Sequence, residues 1–264
     1  MKNNLQSVRI DIGVLILAAP VPESEQLYAD AGLGNPLDWF RALLPMIPPK
    51  NIRMMRILSE GLPPSVPEQL IILPGSGYGA DEILKRVPDY AAFLREKRAE
   101  GKRMLGVCSG HQVFGSVFGG TVVKNPKGPE IGTSLITATG HGMNSILFHG
   151  VPYIFSASES HYDSMTIPAH LPKQILATSP LDFFQIAQYE DDLTMQFHPE
   201  ITGAMMRKML ELKRLQYFGI DAEAYERCQS AVEDTPFARQ LIHNYMHYVV
   251  GPSLARGAGR RAKV

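Results

Sequence analysis

Apolar runs alternate with charged, helix-periodic stretches along the first half of the chain. Val8–Ala18 is a β-branched apolar block and reads as a first buried strand. Asn51–Leu58, Gln69–Leu73 and Lys102–Val107 read as the next three strands. Between them, Asn35-Pro36 announces a short helix over Leu37–Leu44, and 62–67 is a proline-rich connector. Ile83–Glu100 repeats its apolar positions at helical spacing, and 109–118 is a helix directly after the fourth strand. Beyond residue 120 the strands shorten: Thr121–Val123, Ser134–Ala138, Tyr153–Ser156, Ile175–Ser179, Phe184–Tyr189 and Thr194–Phe197. Met205–Tyr217, Ala222–Val232 and Pro236–Val249 carry helical patterns.

This alternation predicts a three-layer α/β fold, a mostly parallel central sheet with helices on both faces. Sites in such sheets lie at the carboxyl ends of the strands. No internal repeat and no linker divides the chain. Residues 1–250 are therefore expected to form a single domain. The Gly- and Ala-rich basic stretch from Arg256 to Lys263 marks 251–264 as a disordered tail.

Composition narrows the class without naming a function. The chain has 264 residues, enough for one sizeable core, and 45% hydrophobic with 20% charged residues suits a soluble globule. Lys plus Arg and Asp plus Glu each total 26, so nothing in the charge balance argues for a nucleic-acid partner. No apolar run reaches the length of a membrane span. Ile10–Ala19 ends Ala-Ala-Pro like a signal peptide, but Asp11 interrupts it and a buried strand explains it better. Cys108 and Cys228 form no disulfide framework, and a cytoplasmic protein is expected.

The chemistry concentrates at two places. Residues 106–112 read Gly-Val-Cys-Ser-Gly-His-Gln after a strand, and 198–200 read His-Pro-Glu. A cysteine between two glycines at a strand-to-helix turn matches a nucleophile elbow, where small neighbours let the strained backbone pass. The helix that starts beneath the sulfur favours thiolate over thiol. His198 can serve as base and Glu200 can orient it, giving a Cys108-His198-Glu200 triad for acyl transfer. Cys228, mid-helix and without glycine neighbours, reads as a structural thiol. Gly75-Ser76-Gly77-Tyr78-Gly79 lacks both GxGxxG and a GK[ST] ending, so it fits an oxyanion loop better than a phosphate loop. His243 and His247 have a zinc-compatible spacing but no adjacent glutamate, so no metal is expected.

GVCSGHQ and MQFHPE resemble the two signatures of class I glutamine amidotransferases. QLIILPGSGYG, 69–79, resembles that family's oxyanion loop, and SHYDSM, 160–165, resembles its SHxDxV segment with Met165 in place of valine. The similarity extends over roughly residues 7–250. The nearest group is the stand-alone proteins similar to the amidotransferase half of GMP synthase, including plant γ-glutamyl peptidases. The resemblance implies a flavodoxin-like class I amidotransferase fold and an oxyanion hole from the Ser76 and Ser109 N–H groups. It further implies that Gln112 holds the α-amino-acid end of a glutamyl substrate, with His161 and Tyr162 on the other side of the pocket. The residue after the family's cysteine is often bulkier than Ser109.

The expected reaction is hydrolysis of the γ-amide of glutamine or another small γ-glutamyl compound through a thioester, without metal or organic cofactor. About sixty residues follow Glu200, too few for a synthase domain. Two enzymatic expectations follow: a glutaminase that feeds a separate synthase subunit, or a free-standing γ-glutamyl peptidase. A regulatory or binding protein on the same fold is the third, and three intact catalytic side chains argue against it.

Overall fold

The computed structural model describes residues 9–166 and 174–252. Of the tail expected over 251–264, Gly251 and Pro252 are helical and residue 253 onward lies outside the described residues. The chain runs β1 (Val14–Ala18), α1 (Pro22–Asp30), α2 (Pro36–Leu43), β2 (Ile52–Arg56), β3 (Leu70–Leu73), α3 (Ala80–Arg86), α4 (Tyr90–Ala99), β4 (Arg103–Val107) and α5 (Ser109–Val117). It continues with β5 (Thr121–Lys124), β6 (Glu130–Ala138), α6 (Gly140–Met143), β7 (Ile154–His161), β8 (Asp163–Thr166), β9 (Gln174–Thr178), β10 (Ile186–Tyr189) and β11 (Asp192–Met195). Four helices complete it: α7 (Gly203–Leu212), α8 (Arg214–Phe218), α9 (Ala222–Ser230) and α10 (Pro236–Asn244).

The central sheet has the order β2-β1-β3-β4-β11-β10-β9-β6-β7. The pairings from β2 to β11 are all parallel. From β11 to β7 each pairing is antiparallel, so within this sheet only β10 and β6 run against the others. β5 and β8 form a separate antiparallel ribbon.

Side-chain alternation along the parallel strands makes the three layers. Val14, Ile16 and Ala18 of β1 enter one core with Phe40 and Leu43 of α2 and with Leu241 and Ile242 of α10. Leu15 and Leu17 enter the other, with Ile83 of α3, Leu94 of α4 and Val113 and Phe114 of α5. A strand buried on both faces reads as an unbroken apolar run, which is why β1 and β3 stand out in the sequence. Among the described residues no helix is long and apolar enough to cross a membrane.

Local departures from the sequence reading have physical causes. The helix expected over Ile83–Glu100 is two helices, because Pro88 lacks an N–H and its ring cannot continue the preceding turn. The stretch 205–217 also divides, at Lys213, and beyond Asn244 the last helix widens into a π turn over Tyr245–Val250. β6 and β7 are longer than expected, since pairing from Glu130↔His161 to Thr137↔Ile154 carries polar residues into a continuous ladder. α1 was unread because none of its residues is buried, so it has no apolar stripe to announce it.

Candidate active site

β4 delivers Cys108 to a turn at φ 51°, ψ −113°, a left-handed backbone that costs a non-glycine residue strain energy. The Cys108 N–H donates to Met195 O of β11 at 2.9 Å, which ties the elbow to the strand preceding His198. α5 follows at Ser109, and its first N–H groups have no partner within the helix. The two flanking glycines have a steric reason. A Cβ on Gly110 would lie 1.8 Å from Leu73 O, and one on Gly106 would lie 2.9 Å from Gly110 O. Helix α5 thus packs backbone to backbone on β3 and β4, directly behind Cys108.

His198 follows β11 after the buried Phe197. Its backbone N–H donates to Ser158 O of β7 at 2.8 Å, and its Nδ1 lies 2.7 Å from Glu200 Oε1. With Nδ1 committed to Glu200, Nε2 is the nitrogen left for the Cys108 thiol. Burial opposes charge on His198, but the Glu200 carboxylate and Cys108 outweigh it and hold the imidazole well above its ordinary pKa. The Cys108 Sγ itself lies 3.8 Å from Ser160 O. Cys108, His198 and Glu200 therefore meet at the carboxyl ends of β4 and β11, with β7 buttressing the first two.

The Gly75–Gly79 loop, after β3, closes over the elbow. The Ser76 hydroxyl donates to Ala19 O and accepts from the Tyr78 N–H at 2.9 Å, so this side chain shapes the loop. Gly75 abuts His198 and Cys108: a Cβ there would lie 2.5 Å from His198 Cε1 and 3.5 Å from Cys108 Cβ. Gln112 is buried, and its amide nitrogen donates to Asp163 O at 3.2 Å and to Gln196 Oε1 at 3.0 Å. Tyr162 is partly exposed at the pocket and its ring lies 6.4 Å from that of Tyr217.

His161 lines the same pocket, but both ring nitrogens are engaged behind it. Nδ1 donates to Asp163 O at 2.9 Å, and Nε2 lies 3.2 Å from Glu130 Oε2 and 3.3 Å from Glu159 Oε2. Burial opposes its charge, yet the two carboxylates hold its pKa up at about 11. Burial also pushes Glu159 up to about 7, against the pull of His161. Gln185 donates to Glu130 at 2.8 Å. Glu130, Glu159 and His161 are the described residues that could hold a metal, their ligand atoms lying within 4.8 Å of one another. Their present pairing is an imidazolium between two carboxyl groups. His243, spaced for a metal with His247, instead places Nε2 2.9 Å from Leu43 O.

Glu130 and Glu159 escaped the sequence reading, although β7 carries a usable signal. Phe155, Ala157, Glu159 and His161 alternate along it and are all buried, so a carboxylate occupies an otherwise core-facing register. Also unread were Tyr28, Trp39, Met206, Met209 and Lys213, which line the pocket of about 490 Å³ that holds Cys108 and His198. They come from elements far apart in sequence, and only the tertiary fold assembles them.

The chain has relatives among known proteins. The model of the family "Glutamine amidotransferase class-I" matches residues 50–216. A GMP synthase from Aeropyrum pernix is 31% identical over 54% of this chain, which spans 26% of that relative. A glutamine-hydrolysing GMP synthase subunit from Saccharolobus solfataricus is 26% identical over 58% of this chain and 81% of its own length. γ-Glutamyl peptidase 2 from Arabidopsis thaliana is 26% identical over 55% of this chain and 60% of the relative. Among solved structures, a glutamine amidotransferase from Thermotoga maritima superposes with TM-score 0.64 at 18% identity, covering 90% of this chain and 98% of that one.

Proposed function

The chain belongs to the class I glutamine amidotransferase family, and from that premise we propose that it hydrolyses γ-glutamyl amides through a thioester on Cys108. The observation that carries the reading is the strained Cys108 turn beside a His198 whose Nδ1 is 2.7 Å from Glu200. A cysteine serving only the core gains nothing from a left-handed backbone at the mouth of a cavity.

In the proposed sequence, the Cys108 sulfur attacks the γ-carbonyl carbon and the carbonyl oxygen becomes an oxyanion. The Ser76 and Ser109 N–H groups receive that charge. As the tetrahedral intermediate collapses, His198 Nε2 gives its proton to the departing nitrogen, and the carbon–nitrogen bond breaks. Water, deprotonated by the same nitrogen, then attacks the thioester and releases glutamate and free Cys108. Glu200 fixes the His198 tautomer and stabilises the imidazolium. Gln112 and Tyr162 border the glutamyl end, and His161, with its paired glutamates, stiffens the wall that carries Ser160 O and Asp163 O.

A second reading, a glutaminase that passes ammonia to a separate synthase, draws on the similarity to the GMP synthase subunit of Saccharolobus solfataricus. The free-standing hydrolase is favoured here, because the cavity is larger than release of ammonia requires. The test is glutamate release by the isolated chain from glutamine and from a panel of γ-glutamyl amides. Turnover that vanishes in Cys108→Ala supports the proposal. Turnover that survives in purified Cys108→Ala removes the thioester.

A further inference from the structure

The glutamyl half is common to all γ-glutamyl substrates, so the leaving amine decides which of them this pocket takes. In the proposed reaction His198 protonates that amine, which must therefore lie on the His198 side of the reacting carbon. From His198 the chain continues through Glu200 and Ile201 into α7, bringing Ile201, Met206 and Met209 to the cavity. Tyr28 of α1 and Trp39 of α2 complete this wall, their rings edge to face at 5.9 Å. All five belong to one apolar cluster, separate from the two cores that flank the sheet. Ammonia, the leaving group of glutamine, has no apolar surface to offer such a wall. A large apolar group does.

One cation stands at the same wall. Lys213, where α7 gives way to α8, holds its Nζ 5.2 Å from the centre of the Tyr28 ring and 5.9 Å from that of Tyr217. Among the described residues no carboxylate pairs with it, whereas Lys124, which also lines the cavity, is paired with Asp163 at 2.6 Å. Ring faces position an ammonium without neutralising it. Lys213 is thus available to an anion that enters with the substrate. A large apolar body and a nearby anion on one amine describe an α-amino acid.

Resting on the hydrolase reading above, we propose that the substrates are γ-glutamyl dipeptides whose second residue is aromatic or large aliphatic and bears a free α-carboxylate. The apolar wall takes the side chain, and Lys213 takes the carboxylate. The carbon–nitrogen bond broken is the γ-amide bond, and the amino acid leaves with the proton from His198.

The experiment measures kcat/KM for glutamate release from γ-glutamyl-phenylalanine, γ-glutamyl-phenethylamide, γ-glutamyl-glycine and glutamine. The phenylalanine dipeptide is expected to exceed the glycine dipeptide by about tenfold to a hundredfold, the range one buried apolar group commands. It should exceed the carboxylate-free amide by about tenfold, and Lys213→Met should bring that ratio close to one. Equal rates for the two dipeptides overturn the apolar wall, and a ratio unchanged in Lys213→Met overturns the carboxylate seat. Calorimetric titration of Cys108→Ala with both dipeptides reads the pocket apart from the chemistry. Equal affinities there overturn this inference, whereas absence of turnover by the wild-type chain on every member overturns the hydrolase reading itself.

Discussion

Gly75→Ala probes how closely the Gly75–Gly79 loop is fitted to Cys108 and His198, the proposed catalytic pair. The added Cβ would lie 2.5 Å from His198 Cε1, 3.4 Å from His198 Nδ1 and 3.5 Å from Cys108 Cβ. Carbon atoms pack favourably at about 3.5–4.0 Å, so something must yield by about 1 Å. The imidazole is held from both ends, by the backbone bond to Ser158 O at 2.8 Å and by Glu200 at 2.7 Å. If the ring yields, proton transfer is misaligned, and a displacement of this size costs about a hundredfold in rate. If the loop yields instead, the Ser76 N–H leaves its proposed place at the oxyanion, at a cost of about a hundredfold to a thousandfold. Either route predicts that kcat/KM for glutamate release falls by about a hundredfold, roughly 2.7 kcal/mol of transition-state stabilisation. The assay is steady-state glutamate release alongside a thermal melt. The control is Gly140→Ala, where a Cβ meets no atom within 4 Å and activity should stay unchanged. Near-wild-type activity in a folded Gly75→Ala protein would refute the argument that this loop must touch the dyad without a side chain.

If His198 and Glu200 act as one unit, Glu200→Gln should cost almost nothing on a His198→Ala background while costing activity by itself; multiplicative losses in a full cycle of single and double variants would separate them. A glutamine-like diazo-ketone should label Cys108 and spare Cys228, whose thiol burial pushes up in pKa and whose Sγ lies 3.5 Å from Ile131 O; peptide mapping showing equal labelling would contradict this. His111 is buried, with Nδ1 2.8 Å from Thr194 Oγ1, and burial followed by the nearby His161 lowers its pKa to about 3. Its depressed folded pKa means that its contribution is complete above an ordinary histidine pKa of about 6.5 and is lost as pH falls toward 3, at most about 5 kcal/mol. Melting temperatures of His111→Gln should therefore fall less steeply than wild type between pH 6 and pH 4, and parallel curves would show that His111 does not report this penalty.

The parts of the fold legible in the sequence are those where burial is two-sided and local. β1, β3 and β4 carry apolar residues at successive positions because helices cover both faces, and their order with the intervening helices predicts a parallel sheet. The antiparallel half is harder to read. β7 reads Ile-Phe-Ser-Ala-Ser-Glu-Ser-His, and its polar second half is paired and largely buried through partners on β6 and at His198 that no local pattern announces. The broken helices follow the same logic in reverse. Helical periodicity persists across Pro88 and Lys213 because α3 and α4 pack on one core and α7 and α8 on one apolar cluster, so the apolar pattern conceals the break.

The site divides along a similar line. The residues proposed to do chemistry announce themselves, because Cys108 needs glycines on either side to let α5 approach β3, and Glu200 must lie near His198 to reach its Nδ1. Such constraints are short-range in sequence and leave motifs. The groups that support or select are gathered from a distance. Glu130 reaches His161 across 31 residues of chain, and Tyr28 and Lys213, far apart in sequence, meet only in the folded chain. Their roles depend on what they touch rather than on what flanks them. Ser160 shows both kinds of constraint at once. Its carbonyl oxygen faces the Cys108 sulfur at 3.8 Å, and its hydroxyl meets the Tyr217 hydroxyl at 2.9 Å. One strand residue thus touches both the Cys108 sulfur and a tyrosine of the cavity wall.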